Sequence, residues 1–260
     1  FFLPTIKYRF YAFHSMPFNL RKHLYLFDII WDKLIDKSCK LISVSKASSK
    51  QLLKLRFFKQ DPFCIYNGLQ IRNLKKYNKT KLIRILHVGY FDIIKNQIML
   101  IKSLNLLMLS GIQNIKLTFV GEVNDLVVKN EIDEYIKLNN LSKYISFKGF
   151  QKDVEHYYET NDVLVCTSKI ESFPLAILEA MRVGMPIIST NVGGVNEQLQ
   201  NGVNGYLVEE GDIQTLANKI LIFYKNPDKI ELMGKKSHDI FKKKFLIKKM
   251  INEYQFKLKL

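Results

Sequence analysis

The chain has 260 residues, of which 47% are hydrophobic and 25% charged, as in a folded globular protein with one or two cores. No apolar run approaches the roughly 20 residues of a membrane-spanning helix, so none is predicted. The formal net charge of +16 suits an anionic partner such as a diphosphate, a lipid phosphate or an anionic membrane, and an AT-rich coding bias toward lysine explains it equally well. No basic stretch carries the stacking aromatic residues that favour nucleic acid. Cys39, Cys64 and Cys166 lack pair or metal spacing, which fits a reducing cytoplasm.

The first 70 residues alternate between strand and helix patterns, which favours a parallel sheet with crossover helices. Strands are predicted over residues 6–13, 40–44 and 63–66, and helices over 19–37 and 47–57. The helix over 19–37 carries apolar and basic side chains together, so either core packing, the favoured interpretation, or contact with an anionic membrane would suit it. The polar stretch over 71–81 predicts a linker.

Residues 82–225 carry a longer alternation. Strands are predicted over 82–88, 115–120, 144–147, 163–166, 186–189 and 206–208. Helices are predicted over 96–109, 125–138, 154–160, 175–182 and 213–224, and two terminal helices over 228–244 and 246–256. This pattern predicts a doubly wound α/β domain whose ligand crevice lies at the carboxyl ends of its strands.

Two carboxylates bracket the start of the helix predicted over 175–182. Glu171 lies on the loop after a buried strand, and Glu179 lies on the helix itself. Between them, Pro174 suits the first helical turn, and the free amides of Leu175 and Ala176 point out of the helix N-terminus. Such N–H groups suit a phosphate or a hydroxyl-rich ligand, so the two acids beside them favour a nucleotide sugar.

The same region carries a family resemblance. Glu171-x7-Glu179, followed by Ala-Met-x-x-Gly-x-Pro-Ile-Ile-Ser-Thr-Asn-Val-Gly-Gly, resembles the signature of retaining glycosyltransferases of family 4, which share the GT-B fold. The similarity continues through Glu197 and the Asn-Gly-Val-Asn-Gly turn that follows it. Upstream, Tyr-Asn-Gly at 66–68 resembles the family's turn between domains. His-Val-Gly-Tyr, followed by Lys-Asn at 95–96, resembles its Val-Gly-Arg…Lys-Asn segment. Five blocks in unbroken order are far more specific than one Glu-x7-Glu pair.

The resemblance implies an α/β fold of the GT-B type with two Rossmann-like domains. Residues 82–225 would form a complete C-terminal, doubly wound domain that binds the donor. Residues 1–70 would form a partial N-terminal, acceptor-side domain that lacks its first part, and 71–81 would link the two. Residues 226–260 would form helices, the last of which crosses back to the first domain. Because a partial sheet exposes its edges, we expect residues 1–66 to be less stable than residues 82–224.

The resemblance also implies a catalytic set of Glu171, Lys95 and His14. Glu171 would contact hydroxyl groups of the transferred sugar, and Lys95 would stabilise the charge of the leaving diphosphate. His14 would line the acceptor side, and a packed or surface histidine is an equally open interpretation. No metal ligand and no further cofactor is expected.

The donor-binding residues implied in this way form a larger set. They are Gly89, Tyr90, Lys95, Phe150, Glu171, Ser172, Phe173, Leu175, Ala176, Glu179, Gly193 and Gly194. Glu179 would accept hydrogen bonds from the nucleotide ribose, and Phe150 would cradle the base unless it is a core aromatic. Tyr90 stands where the family usually has Arg, which removes a bidentate cation and leaves Arg84 or Lys169 as substitutes.

The predicted function is retaining transfer of a hexosyl group from a nucleotide-diphosphate sugar to a glycan, lipid-linked or polysaccharide acceptor of the cell envelope. The predicted location is the cytoplasm, with peripheral contact at the inner face of the plasma membrane. The alternative is a non-catalytic nucleotide-sugar-binding subunit of a split enzyme that needs an N-terminal partner chain. A GT-B epimerase or phosphorylase fits the Glu-x7-Glu block less well.

Overall fold

A computed structural model describes residues 9–13, 39–54, 61–77 and 80–258. The predicted helix over 19–37 and His14 lie outside these ranges. The described residues form two parallel sheets with helices packed around them, and the α/β fold class predicted from the sequence is confirmed.

The smaller sheet has the order β1-β2-β3, and both strand pairs are parallel. Its strands are β1 (Arg9–Phe13), β2 (Cys39–Ser43) and β3 (Phe63–Cys64), and helix α1 (Lys46–Lys54) connects the last two. Leu41 and Ile42 of β2 are almost fully buried, as expected for a central strand covered on both faces.

The larger sheet has the order β6-β5-β4-β7-β8-β9 and is parallel throughout. Its strands are β4 (Ile83–Val88), β5 (Ile115–Val120), β6 (Ile145–Phe147), β7 (Val163–Cys166), β8 (Ile187–Thr190) and β9 (Gly205–Val208). The chain runs outward from β4 to β6 and then returns to place β7 on the other side of β4. The carboxyl ends of β4 and β7 therefore form the switch point, where doubly wound proteins open a crevice.

Eight further helices follow α1. They are α2 (Gln97–Leu109), α3 (Leu126–Leu138), α4 (Glu155–Thr160), α5 (Leu175–Val183), α6 (Val195–Gln198), α7 (Ile213–Lys225), α8 (Asp228–Lys244) and α9 (Ile247–Leu258) among the described residues. Helices α2 and α7 bury Leu104 and Ile220 in the core on one face of the sheet. Helices α5 and α8 bury Ile177 and Phe241 in the core on the other face.

The predicted linker is packed rather than free. The backbone N–H of Lys75 donates to Val183 O over 2.9 Å, and its Nζ donates to the carbonyl oxygen of Asn161. Burial lowers the pKa of Lys75 to about 8. Arg72 forms a 2.8 Å ion pair with Glu155. These contacts hold residues 71–77 against the helices around the larger sheet, which the polar composition of the segment did not indicate.

Among the described residues, several contacts tie the smaller sheet to the rest of the molecule. Leu258 of α9 packs with Ile42 and Ile65, and Lys257 Nζ donates to Cys64 O over 3.0 Å. Val44, directly after β2, is buried in the core that holds Ile177 and Phe241. A further tie is the carboxylate of Glu197 on α6, described below. Across the ranges that the structure describes, no helix is long and apolar enough to span a bilayer.

Candidate functional site

A pocket of about 630 Å³ opens at the carboxyl ends of β4 and β7 and reaches the first turn of α5. It is lined by the predicted residues Gly89, Tyr90, Lys95, Glu171, Ser172, Phe173, Leu175, Ala176 and Glu179. These residues come from two separate stretches of the chain, which the switch point of the sheet brings together. The structure therefore places most of the predicted donor-site residues around one cavity.

Two side chains hold the backbone of Lys95 in place. Asp92 Oδ1 accepts hydrogen bonds from the N–H groups of Ile94 (2.9 Å) and Lys95 (2.7 Å). The carbonyl oxygen of Lys95 accepts from Thr167 Oγ1 over 3.0 Å, which ties this loop to the end of β7. Asn96 follows with a φ of 50°, a left-handed conformation that Asn tolerates better than most residues, and α2 then begins.

The Lys95 side chain crosses the pocket to Glu171. Its Nζ lies 2.6 Å from Glu171 Oε1, and the two side chains are 26% and 13% exposed. Ser168 Oγ donates to the same carboxylate oxygen over 2.7 Å. Burial, the largest effect, would by itself lower the pKa of Lys95, but the charge and hydrogen bond of Glu171, together with negative charge nearby such as that of Asp92, raise that pKa above its usual value. Lys95 therefore carries a full positive charge at neutral pH.

Glu179 lies deeper, on the second turn of α5. Its Oε2 accepts a 2.7 Å hydrogen bond from the hydroxyl group of Tyr158. Burial raises the pKa of Glu179, while the Tyr158 hydrogen bond and the charge of Arg182 favour the ionised form. This carboxylate is thus a partly desolvated acceptor at the edge of the cavity.

The N-terminus of α5 forms one wall of the pocket. Pro174 is its N-cap residue, and Leu175 and Ala176 follow in the first turn, where backbone N–H groups have no helical partner. Phe173, 4% exposed, stacks on Tyr66 with ring centroids 5.1 Å apart. The loop that carries Glu171 is therefore anchored against a residue that precedes the linker.

His87 and Cys166 also line the pocket, at the ends of β4 and β7. Burial lowers the pKa of His87 to about 4, and its Nδ1 donates to Val165 O over 2.9 Å. Burial raises the pKa of Cys166 to about 12. At neutral pH the imidazole is uncharged and the thiol is protonated, so neither group is poised as a cation or a nucleophile.

Some predicted residues do not line the pocket. Phe150 is 68% exposed, so the interpretation as a core aromatic is wrong, and it is not part of the pocket wall. Gly193 has a φ of +54° and lies outside the wall, as does Gly194. A Cβ at Gly194 would lie 2.1 Å from Ser172 O, so the close approach of that backbone already requires glycine there.

The two cations considered as substitutes for the missing arginine differ in position. Arg84 lies near the amino end of β4, where Nη1 is 3.5 Å from Asp162 Oδ2. The pocket lies at the other, carboxyl end of β4, so the hypothesis that Arg84 replaces the missing arginine is wrong. Lys169 is exposed and lies between Ser168 and Ile170, which both line the pocket.

Three contributors to the site were missed by sequence reasoning. They are Ser168 and Tyr158, which hydrogen-bond the two pocket carboxylates, and the contact of Glu197, a residue of the resemblance, with the start of α1. The role of Ser168 could have been predicted, because it lies directly after a buried strand, on the loop that carries Glu171. Tyr158 was not, because its place on a short helix suggested only core packing. Among the described residues no cluster of three or more His, Cys, Asp or Glu could hold a metal ion.

Glu197 lies on α6, the helix that follows Gly193-Gly194, and faces the start of α1. Its two carboxylate oxygens accept 2.9 Å hydrogen bonds from the N–H groups of Lys46 and Ala47 at the start of α1. Oε2 also accepts from the hydroxyl group of Tyr66 over 2.9 Å. One carboxylate next to the larger sheet thus holds the first turn of α1, the helix that connects β2 and β3 of the smaller sheet.

Two parallel α/β sheets, with a cation, two carboxylates and a helix N-terminus at the switch point of the larger, define a protein of the GT-B type. The family model described as "Glycosyl transferases group 1" matches residues 70–239, and the chain belongs to this family. The resemblance drawn from the sequence motifs is confirmed.

Individual relatives are similar over parts of their length. The chain is 34% identical over 109 residues to N-acetyl-alpha-D-glucosaminyl L-malate synthase of Bacillus anthracis, covering 42% of this chain and 29% of the relative. It is 28% identical over 170 residues to the capsular polysaccharide biosynthesis glycosyltransferase CapH of Staphylococcus aureus, covering 60% of this chain and 43% of CapH. The chain therefore spans less than half the length of these two curated relatives.

Solved structures share the fold. HepE of Anabaena, crystallised in complex with UDP, superposes with a TM-score of 0.85 at 21% identity and covers 96% of this chain and 71% of its own. TarM superposes with a TM-score of 0.79 at 23% identity, covering 94% of this chain and 48% of TarM. At these identities the likeness describes the fold alone.

Proposed function

We propose that the described pocket binds a nucleotide-diphosphate sugar and that the chain is the donor-binding part of a retaining glycosyltransferase. The observation that carries this proposal is the convergence of Lys95, Glu171 and Glu179 on one cavity at the N-terminus of α5. In this proposal residues 82–225 form the donor domain, residues 1–70 contribute to the acceptor side, and residues 71–81 join them.

The diphosphate lies at Lys95 and the first turn of α5. A diphosphate carries more negative charge than one carboxylate, so Lys95 exchanges Glu171 for phosphate oxygens when the donor enters. The unpaired N–H groups at the start of α5 favour the same anion. A fixed cation at this position also stabilises the charge that the leaving group gains.

Glu171, released from Lys95 and still held by Ser168 Oγ, accepts hydrogen bonds from hydroxyl groups of the transferred sugar. Glu179 accepts from the ribose. The bond between the anomeric carbon and the β-phosphate oxygen breaks, and the acceptor hydroxyl oxygen forms the new bond on the same face. The acceptor proton passes to the leaving phosphate oxygen, so configuration is retained without a covalent enzyme intermediate and without a metal ion.

The proposed classes of donor and acceptor substrate follow from the similarity to known glycosyltransferases. The HepE structure holds UDP, and CapH is named for capsular polysaccharide biosynthesis, which supports a UDP-hexose donor and a glycan or lipid-linked acceptor of the cell envelope. The scattered cysteines and the net charge of +16 support a cytoplasmic location with peripheral contact at the inner membrane face.

The second candidate is a nucleotide-sugar-binding subunit that acts only with an N-terminal partner chain. Tyr90 favours it, since a phenol at the rim of the pocket cannot neutralise a diphosphate as an arginine would. Among the described residues that line the pocket, Lys95 supplies the one permanent positive charge.

Calorimetric titration with UDP-, GDP- and ADP-sugars tests the binding proposal. Wild type should bind one of them, Lys95→Ala and Glu179→Ala should weaken that binding at least about tenfold, and the exposed Lys152→Ala should not. If neither pocket variant weakened nucleotide-sugar binding, the assignment of this pocket as the binding site would be wrong. With binding established, transfer assays separate the candidates: transfer by the chain alone supports the enzyme, and transfer only after a partner is added supports the subunit.

A further inference from the structure

Tyr158 is a buried phenol aimed at the pocket wall. It lies on α4 and is 1% exposed, surrounded by the core that includes Leu164, Ile177 and Met181. Its hydroxyl group lies 2.7 Å from Glu179 Oε2. That distance falls in the range of a charge-assisted hydrogen bond to a carboxylate, and such bonds are about twice as strong as neutral ones.

This hydrogen bond gives the two oxygens of the Glu179 carboxylate different roles. A phenol has one proton to donate, and that proton goes to Oε2. The terminal torsion of a glutamate is otherwise broad, so an unheld carboxylate would sample many orientations. With Oε2 fixed from the core side, Oε1 remains to accept hydrogen bonds from a ligand in the pocket.

We propose that Tyr158 is a positioning residue that holds the Glu179 carboxylate toward the vicinal hydroxyl groups of the nucleotide ribose. This inference rests on the proposed function. It assigns part of the pocket's specificity for a ribonucleotide to Tyr158, a residue that does not touch the ligand. Burial of Glu179 raises its pKa, and the phenol counteracts this by stabilising the charged form.

A purely structural tyrosine would behave differently. If Tyr158 only filled the core, its removal would loosen the pocket as a whole and weaken every ligand alike. If it acts through Glu179, its removal affects ligands that carry ribose hydroxyl groups and spares those that lack them. The ratio of affinities for two such ligands therefore separates the two roles, and this ratio does not depend on the folded fraction of the sample.

The test compares a nucleoside diphosphate with its 2′,3′-dideoxy counterpart by calorimetry, using whichever of UDP, GDP and ADP binds wild type best. Tyr158→Phe keeps every ring carbon in the core and removes only the hydroxyl group. This variant should bind the ribonucleotide about threefold to tenfold more weakly than wild type, as expected for the loss of part of one hydrogen bond to a charged group. Its affinity for the dideoxynucleotide should change less than about twofold. Tyr157→Phe, the neighbouring tyrosine on α4, should change neither.

The dependence on Glu179 is checked in the double variant. In the Glu179→Ala background, Tyr158→Phe should cause no further loss of ribonucleotide affinity, because the group through which it acts is gone. Equal weakening of both nucleotides, or additive losses in the double variant, would overturn the positioning role and leave the pocket assignment intact. Failure of wild type to bind any of the three nucleotides would overturn the proposed function together with this inference.

Discussion

The carboxylate of Glu197 is the most directly testable link between the two sheets. Glu197→Ala removes the acceptor of two α1 N–H groups and of the Tyr66 hydroxyl group at once. Ser45 Oγ still accepts from Ser48 N–H at this helix start, so losing the Glu197 acceptor costs about as much as losing one capping hydrogen bond, about 0.5–2 kcal/mol. Leaving a partly buried hydroxyl group without its partner costs about 1–3 kcal/mol. Since water reaches part of this contact, we take the lower half of both ranges and expect a loss of about 2 kcal/mol.

Amide hydrogen exchange measures this loss where it occurs. At about 1.4 kcal/mol per factor of ten, the backbone amides of Lys46 and Ala47 should exchange roughly 30-fold faster in Glu197→Ala than in wild type. The exposed Glu210→Ala removes the same charge from the loop after β9 and should leave both amides unchanged. Equal exchange in the two variants would refute the idea that Glu197 holds α1.

Two further predictions concern the packing around the pocket and the linker. Gly194→Ala would place a Cβ 2.1 Å from Ser172 O, so it should lower the unfolding temperature and weaken nucleotide binding. An unfolding temperature and a nucleotide affinity that calorimetry finds unchanged would contradict this close approach. For Lys75, burial lowers the pKa to about 8 from 10.5, so the unfolded chain binds more protons than the folded one between these values. The free energy of unfolding should therefore rise with pH across this window, by at most about 1.4 kcal/mol per unit, and chemical denaturation from pH 7 to 10 should show that Lys75→Met loses this rise. Parallel pH profiles of the two proteins would contradict it.

Hydrophobic patterning predicted the larger sheet well, since the strands over 115–120 and 163–166 have the predicted bounds. These strands are short apolar runs bounded by polar turns, which leave few other assignments. Helix α6 was missed because four residues show no helical period. The turn over 142–144 was partly assigned to a strand for the same reason: a single turn is too short for a pattern to appear.

The candidate site was only partly open to prediction. Parallel strands bring their carboxyl ends to one edge, so the meeting of Lys95 with Glu171 across 76 positions follows from topology once the strands are assigned. Their direct ion pair does not follow, because it depends on side-chain torsions. The pairing of Tyr158 with Glu179 was hidden as well, since it joins two helices whose relative placement no sequence period records. Likewise, the composition of the linker gave no sign that Lys75 would be buried.

A structure of the chain with a bound nucleoside diphosphate would show where the nucleotide lies. We predict diphosphate oxygens within about 3 Å of Lys95 Nζ, with that side chain turned away from Glu171, and ribose hydroxyl groups at the same distance from Glu179. A nucleotide bound elsewhere on the protein, with Lys95 still paired to Glu171, would contradict it.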